Sequence, residues 1–193
     1  MKTVVIVGVG ALGSQLCPLL RNTNAALTVV DFDHVEAKNV RAQFHPKGTV
    51  GKNKVVGLAQ TVDFLYGQKL KTNGNKLVPE NASQLLGARD LIIDCLDNGA
   101  GRRVIQDYVR KGGASIPCLH GAVDSDGTFG RVVWDEGFRI DDEDGAGAPT
   151  CEDGEHLPFL AMVSAHLAHA AKEFLSKGVR IGYQVSPGGT IRI

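Results

Sequence analysis

Thr3 to Asp31 read TVVIVGVGALGSQLCPLLRNTNAALTVVD. A short apolar, β-branched run ends at Gly8. Helical spacing follows, with Leu12, Leu16 and Leu19/Leu20 on one side, and then a second apolar run closes on Asp31. Gly8, Gly10 and Gly13 therefore make G-x-G-x-x-G between a strand and a helix. The first glycine permits a tight turn, the second lets a phosphate approach the backbone, and the third lets helix and strand pack closely. The helix N-terminus adds free N–H groups and partial positive charge. Gly8, Gly10, Ala11, Leu12 and Gly13 are thus the expected phosphate cradle. Asp31 stands at the spacing, about 20 residues on, of a ribose ligand. This pattern specifies a nucleotide and leaves NAD, FAD and ATP open.

Working outward, the 193 residues suffice for one domain with a proper core, and two full domains would be cramped. Lys plus Arg and Asp plus Glu both number 21. Zero net charge gives no general electrostatic reason to expect nucleic acid or membrane. No apolar run approaches the ~20 residues of a membrane span. The opening MKTVVIVGVG enters a glycine turn at once and lacks a small-residue cleavage site, so it reads as strand one rather than a leader. Cys17, Cys95, Cys118 and Cys151 are scattered with no C-x-x-C pair. That argues against structural zinc and a disulfide framework, and makes a reducing, cytoplasmic setting the default.

Further along, KVVGLAQTVDFLYG (54–67) reads as a helix with Val55, Leu58, Val62 and Leu65 on its apolar face. NKLVPEN (75–81) reads as a strand. DLIIDC (90–95) has no polar interruption until its ends, as in a strand buried on both faces. A helix over about 101–109 and strands in SIPCLHGAV (115–123) and FGRVVW (129–134) follow. Residues 135–156 are acidic, glycine-rich and aperiodic, and read as a long crossover loop. LPFLAMVSAHLAHAAKEFL (157–175) is the clearest helix, started by Pro158 and ended by Gly178. GYQVSPGGTIRI (182–193) reads as a hairpin. The expected fold is α/β: a Rossmann-like sheet, mainly parallel, covered by helices on both faces, with a C-terminal β-hairpin. One domain over 1–193 is expected.

Residues 31–44, DFDHVEAKNVRAQF, carry more polar groups than a dinucleotide site needs. The pattern D-F-D-x-V-E-x-x-N-x-x-x-Q from Asp31, G-K-x-K at Gly51–Lys54 and D-x-x-D-N-x-x-x-R at Asp94–Arg102 resembles the ThiF/MoeB/ubiquitin-activating enzyme adenylyltransferase family. The resemblance extends to PTCEDGEHLPFLAMVSAHLAHAAKEFL and covers nearly the whole chain. It implies ATP and Mg²⁺ as cofactors. Asp31 would hold the ribose, with Asp33 beside it. Asn39, Arg41, Gln43, Lys52 and Lys54 would cluster near the phosphates. Asp97 would hold Mg²⁺ through a hard carboxylate oxygen, with Asn98 and Arg102 completing its motif. The implied reaction is adenylation of the C-terminal glycine carboxylate of a small ubiquitin-like or sulfur-carrier protein. Cys151 matches the cysteine that takes over the activated acyl group, and a homodimer is expected.

Blander readings stand beside these. Lys52 also reads as a solvated lysine at a helix start, Asp33 as a loop cap and Arg102 as a structural ion-pair partner. Cys17, Cys95 and Cys118 read as buried packing residues. His166 and His169 lack an evident third ligand. Three departures from the family pattern are visible, the first being that the family's structural zinc cysteines are absent. The arginine that ordinarily precedes the glutamine is replaced by Ala42, with Arg41 one place earlier. The arginine that relatives lend to the partner subunit's site has no counterpart in these residues. A catalytically reduced module that binds nucleotide or partner without turnover is therefore the second reading. A nicotinamide oxidoreductase is the third, and it leaves Asn39, Lys54 and Asp97-Asn98 unexplained.

Overall fold

A computed structural model describes residues 1–111, 116–140 and 154–193. Its strands are β1 (Lys2–Val7), β2 (Ala25–Val30), β3 (Lys71–Asn73), β4 (Leu91–Asp94), β5 (Cys118–Val123), β6 (Gly130–Trp134), β7 (Tyr183–Ser186) and β8 (Gly189–Arg192). They form one sheet in the order β3-β2-β1-β4-β5-β6-β7-β8. The pairings from β3 to β5 are parallel, and those from β5 to β8 are antiparallel. The chain runs outward from β1 to β3 and then crosses back to β4 on the other side of β1. Strand order reverses between β1 and β4, and such a switch point opens a crevice at the carboxyl ends of the strands.

The helices are α1 (Ala11–Leu19), α2 (Lys54–Tyr66), α3 (Ala82–Leu86), α4 (Gly99–Lys111) and α5 (Leu157–Lys177). Val4, Ile6 and Ile93 face a core completed by Leu16, Leu58, Val163 and Leu167 from α1, α2 and α5. Alternate residues of the same strands, Val5, Val7 and Ile92, face Leu85, Leu86 and Ile105 from α3 and α4. The two-residue period of a strand thus feeds two cores, which explains why DLIIDC shows no polar break. The expected fold, with helices on both faces and the C-terminal hairpin, is the one observed. Asn53 caps α2 by accepting Val55 N–H at 3.0 Å, and left-handed Gly67 and Gly178 end α2 and α5. No helix among the described residues is long and apolar enough to cross a membrane.

Several local expectations are corrected. NKLVPEN is not a strand. β3 lies earlier, at Lys71–Asn73, and Pro79 opens a 3-10 turn leading into the unforeseen helix α3. The chain leaves the sheet at Asn73, whose Oδ1 accepts Asn75 N–H at 2.9 Å, and Pro79, with no N–H for a ladder, suits the turn that follows. Leu65 is half-exposed, and Leu20 rather than Leu19 enters the core. The loop expected from about residue 135 is packed over its first residues: Asp135–Gly137 form a 3-10 turn, with Asp135 and Phe138 buried. Residues 141–153, with Cys151 and the acidic run Asp141–Asp144, lie outside the described residues.

Candidate active site

The turn after β1 is built by steric necessity. Gly8 has φ +86°, and a Cβ there would stand 2.8 Å from the Cys95 carbonyl oxygen. A Cβ on Gly13 would come within 1.9 Å of the Gly8 carbonyl oxygen. At Gly10, the residue before α1, the nearest atom to a Cβ would be Gln43 Nε2 at 3.9 Å. Gly8 and Gly13 are therefore closed by the protein's own packing, whereas Gly10 borders open space at a helix N-terminus. That is where an anion can approach.

Asp31, at the end of β2, is tied to this turn. Its Oδ2 accepts Val9 N–H at 2.8 Å, and its Oδ1 accepts Asp33 N–H at 2.9 Å. Burial pushes the carboxyl pKa up, against the lowering by these two bonds. Lys54 is buried at the start of α2 and holds Asp33 twice, through Nζ at 3.2 Å from Oδ2 and through its backbone N–H to the Asp33 carbonyl at 2.8 Å. Asn39 is buried in a 3-10 turn (Ala37–Arg41), where its Oδ1 accepts Glu36 N–H at 2.8 Å. Lys52 points away to Gln60 at 2.6 Å, in line with the solvated reading. Arg41 is exposed, and Gly154, at the return of the crossover segment, packs on its backbone. Ala42 is fully buried.

One residue that the sequence reading passed over joins this cluster. His45 is buried, with Nε2 2.9 Å from the Val9 carbonyl oxygen. Burial lowers its pKa, so the ring is neutral and Nε2–H donates to Val9. Its Nδ1 and the Oε1 of Gln43 are then buried with no hydrogen-bond partner among the described residues. Two orphaned polar atoms beside an open phosphate cradle fit a bound polar ligand or ordered water. Both atoms are acceptors, so what occupies that space must donate: an ordered water, or a hydroxyl or amino group of a nucleotide rather than a phosphate oxygen.

Asp97 follows β4, directly across the switch point. Cys95 N–H bonds to the Val7 carbonyl at 2.8 Å, which holds this turn against Gly8. Asp97 is exposed and has no hydrogen bond among the described residues. Asn98 caps α4, its Oδ1 accepting Gly101 N–H at 2.8 Å. Arg102 turns inward, donating to the carbonyls of Leu96 and of Gly121, the latter at 3.2 Å. Its guanidinium is thus engaged in holding the turn rather than facing the crevice. Among the described residues no cluster of three His, Cys, Asp or Glu could cage a metal. Mg²⁺ at Asp97 fits the other common arrangement, one carboxylate plus nucleotide phosphates.

Behind this turn lies a buried network that the sequence reading also missed. His120 Nδ1 is 2.8 Å from Asp94 Oδ2, and Nε2 is 3.1 Å from Asp135 Oδ1. Gln106 and Arg110 of α4 also donate to Asp135, at 3.0 and 2.7 Å. Burial pulls the His120 pKa down, but Cys118 and the bonds to Asp135 and Asp94 together raise it to about 11. Burial pushes the Cys118 thiol up, against the lowering by His120, and the two carboxylates accept from both imidazole nitrogens. A raised folded-state pKa gives stability that is complete below the unfolded value, about 6.5, and lost as pH climbs toward 11. The stability gap between wild type and His120→Gln should therefore narrow steadily across that window in urea titrations. A pH-independent gap would rule out a charged His120.

The sequence profile of the ThiF family matches residues 1–179. The chain belongs to the ThiF family. Among its relatives, the adenylyltransferase and sulfurtransferase MOCS3 of Anopheles gambiae is 33% identical over 108 residues, covering 54% of this chain and 24% of that protein. The molybdopterin-synthase adenylyltransferase of Escherichia coli (strain K12) is 28% identical over 184 residues, covering 90% of this chain and 72% of that protein. The chain thus spans about a quarter of the length of the MOCS3 relatives it matches. E. coli MccB with ATP superposes over 100% of this chain and 62% of its own, with TM-score 0.80 and 14% identity. PaaA does so over 64% of its own chain, with TM-score 0.76 and 18% identity. At these identities the ThiF fold is what is shared.

Proposed function

We propose that this ThiF-family chain adenylates the C-terminal carboxylate of a small sulfur-carrier or ubiquitin-like protein, or of a peptide, at the expense of ATP. The observation that carries the proposal is the convergence of three features on the β1/β4 switch point. These are the open Gly10 cradle, the Asp31–Asp33–Lys54 cluster and the exposed Asp97 carboxylate. A redox site needs only the first and the ribose acid, because the nicotinamide brings its own chemistry. In the proposed reaction a carboxylate oxygen of the partner attacks the α-phosphorus. The bond to the β-phosphate oxygen breaks, AMP stays on the carboxylate and pyrophosphate leaves. Asp31 holds the ribose, α1 and Lys54 neutralise phosphate charge, and Asp97 holds Mg²⁺. Two such chains forming a homodimer, working in the cytoplasm, belong to the same reading.

Exchange of labelled pyrophosphate into ATP, driven by a carrier or peptide ending in glycine, tests the proposal. Exchange supports it. Binding of ATP without exchange for any such acceptor supports the second reading, a module that recognises nucleotide or partner without turnover. The buried Ala42 favours that second reading, since no cation stands where the family pattern expects one, and a transition-state cation contributes several kcal/mol.

In the proposed second step the Cys151 thiolate attacks the acyl carbonyl, the bond to the AMP oxygen breaks, and AMP leaves as the thioester forms. Cys151→Ala should keep pyrophosphate exchange within about twofold and abolish only the thiol-sensitive acyl-enzyme adduct, seen by intact-protein mass spectrometry. Exchange lost in a folded Cys151→Ala protein would sink the two-step assignment.

A further inference from the structure

The buried charges behind β4 reach the crevice through one residue. Asp94 Oδ2 accepts His120 Nδ1–H at 2.8 Å, while its Oδ1 accepts Leu96 N–H at 2.9 Å. The Leu96 carbonyl accepts from Arg102, whose Nε also lies 4.0 Å from Asp94 Oδ2. Both backbone polar groups of Leu96 are thus held from within, and the next residue is Asp97. His120 and Asp94 are both fully buried, and the Phe138 ring stacks on the imidazole with centroids 4.2 Å apart. The imidazole therefore has no freedom to turn away.

We infer that His120 is a positioning residue: through Asp94 it fixes the Leu96-Asp97 turn so that the Asp97 carboxylate faces the phosphate cradle. The inference rests on the adenylation reading for what Asp97 does, and on geometry alone for what His120 does. Asp94 can serve His120 and Leu96 together because a carboxylate accepts with both oxygens. Such charge-assisted bonds are the strong ones in a low-dielectric interior. Asp135, anchored by Gln106 and Arg110, engages the far side of the ring and sets its orientation. A doubly protonated imidazole suits the place, since its two N–H groups point in opposite directions, one to each carboxylate.

Two conservative variants separate the links. Asparagine places its amide nitrogen near Nδ1 and can still donate to Asp94. Glutamine reaches only toward Asp135. His120→Gln should speed amide exchange at Leu96 at least about tenfold, and should raise the Mg²⁺ concentration for half-maximal pyrophosphate exchange about tenfold. His120→Asn should stay near wild type in both. A folded His120→Gln with wild-type values, or His120→Asn impaired as much as His120→Gln, overturns the inference. If neither variant folds, Asp94→Asn keeps an oxygen for Leu96 N–H but sets an amide NH₂ against His120 Nδ1–H, so it breaks the link from His120 and should speed Leu96 exchange. Protection unchanged in that protein overturns the inference equally. If wild type shows no pyrophosphate exchange, the adenylation reading fails, and Leu96 protection alone then decides the role of His120.

Discussion

Asp97→Ala is expected to give a folded protein whose pyrophosphate exchange falls by about 10³-fold or more. The carboxylate is exposed and makes no hydrogen bond among the described residues, so its removal opens no cavity and orphans no buried partner. Surface changes of that kind ordinarily stay within about ±0.5 kcal/mol. The rate, by contrast, depends on neutralising charge as it develops on pyrophosphate. A metal ion contributes several kcal/mol to that, and each 1.4 kcal/mol or so is a factor of about ten. Activity and melting temperature measured on one preparation make the comparison. A folded Asp97→Ala protein that still forms adenylate at a comparable rate would refute the metal role.

The second large effect distinguishes two glycines of one motif. Gly13→Ala must push a methyl group to within 1.9 Å of the Gly8 carbonyl oxygen, so α1 and β1 have to separate. Overpacking of this sort costs about 1–3 kcal/mol or more, and both stability and ATP binding should fall. Gly10→Ala meets nothing closer than the end of the Gln43 side chain at 3.9 Å. Its melting temperature should stay within a few degrees of wild type, while ATP affinity drops about a hundredfold, because the methyl stands where a phosphate must approach the backbone. Calorimetry and thermal melts on the pair give the answer. A Gly10→Ala protein that binds ATP normally would place the phosphates elsewhere.

The sequence made the nucleotide end of the fold legible because its constraints are local. A strand, three glycines at fixed spacing, a helix and an acid all fall within Thr3–Asp31, and the structure assembles them as that order requires. The strong helices α2 and α5 carried their own boundaries in Asn53, Gly67, Pro158 and Gly178. What stayed hidden depends on contacts distant in sequence. β3 is three residues long and is defined by pairing with β2, not by its own Lys71-Thr72-Asn73 composition. Arg102 reads by position either as a site residue or as a structural ion-pair partner, and the fold bends it back toward Asp94 and onto the Leu96 and Gly121 carbonyls. His120 and Asp135 are 15 residues apart and meet because β5 and β6 pair antiparallel. The one available signal was a histidine inside the otherwise apolar CLHGAV strand. His45 gave no such signal, since a loop histidine is ordinary until the Val9 carbonyl is found beside it.

The most direct test of the central claim is a calorimetric titration of the purified protein with ATP–Mg²⁺ and, separately, with NAD. It needs no knowledge of the acceptor. Saturable binding of ATP with none of NAD is the predicted result, because the proposed reading assigns the Asp31–Asp33–Lys54 cluster and Asp97 to a triphosphate. Binding of NAD with none of ATP would contradict the account and make the crevice a redox site.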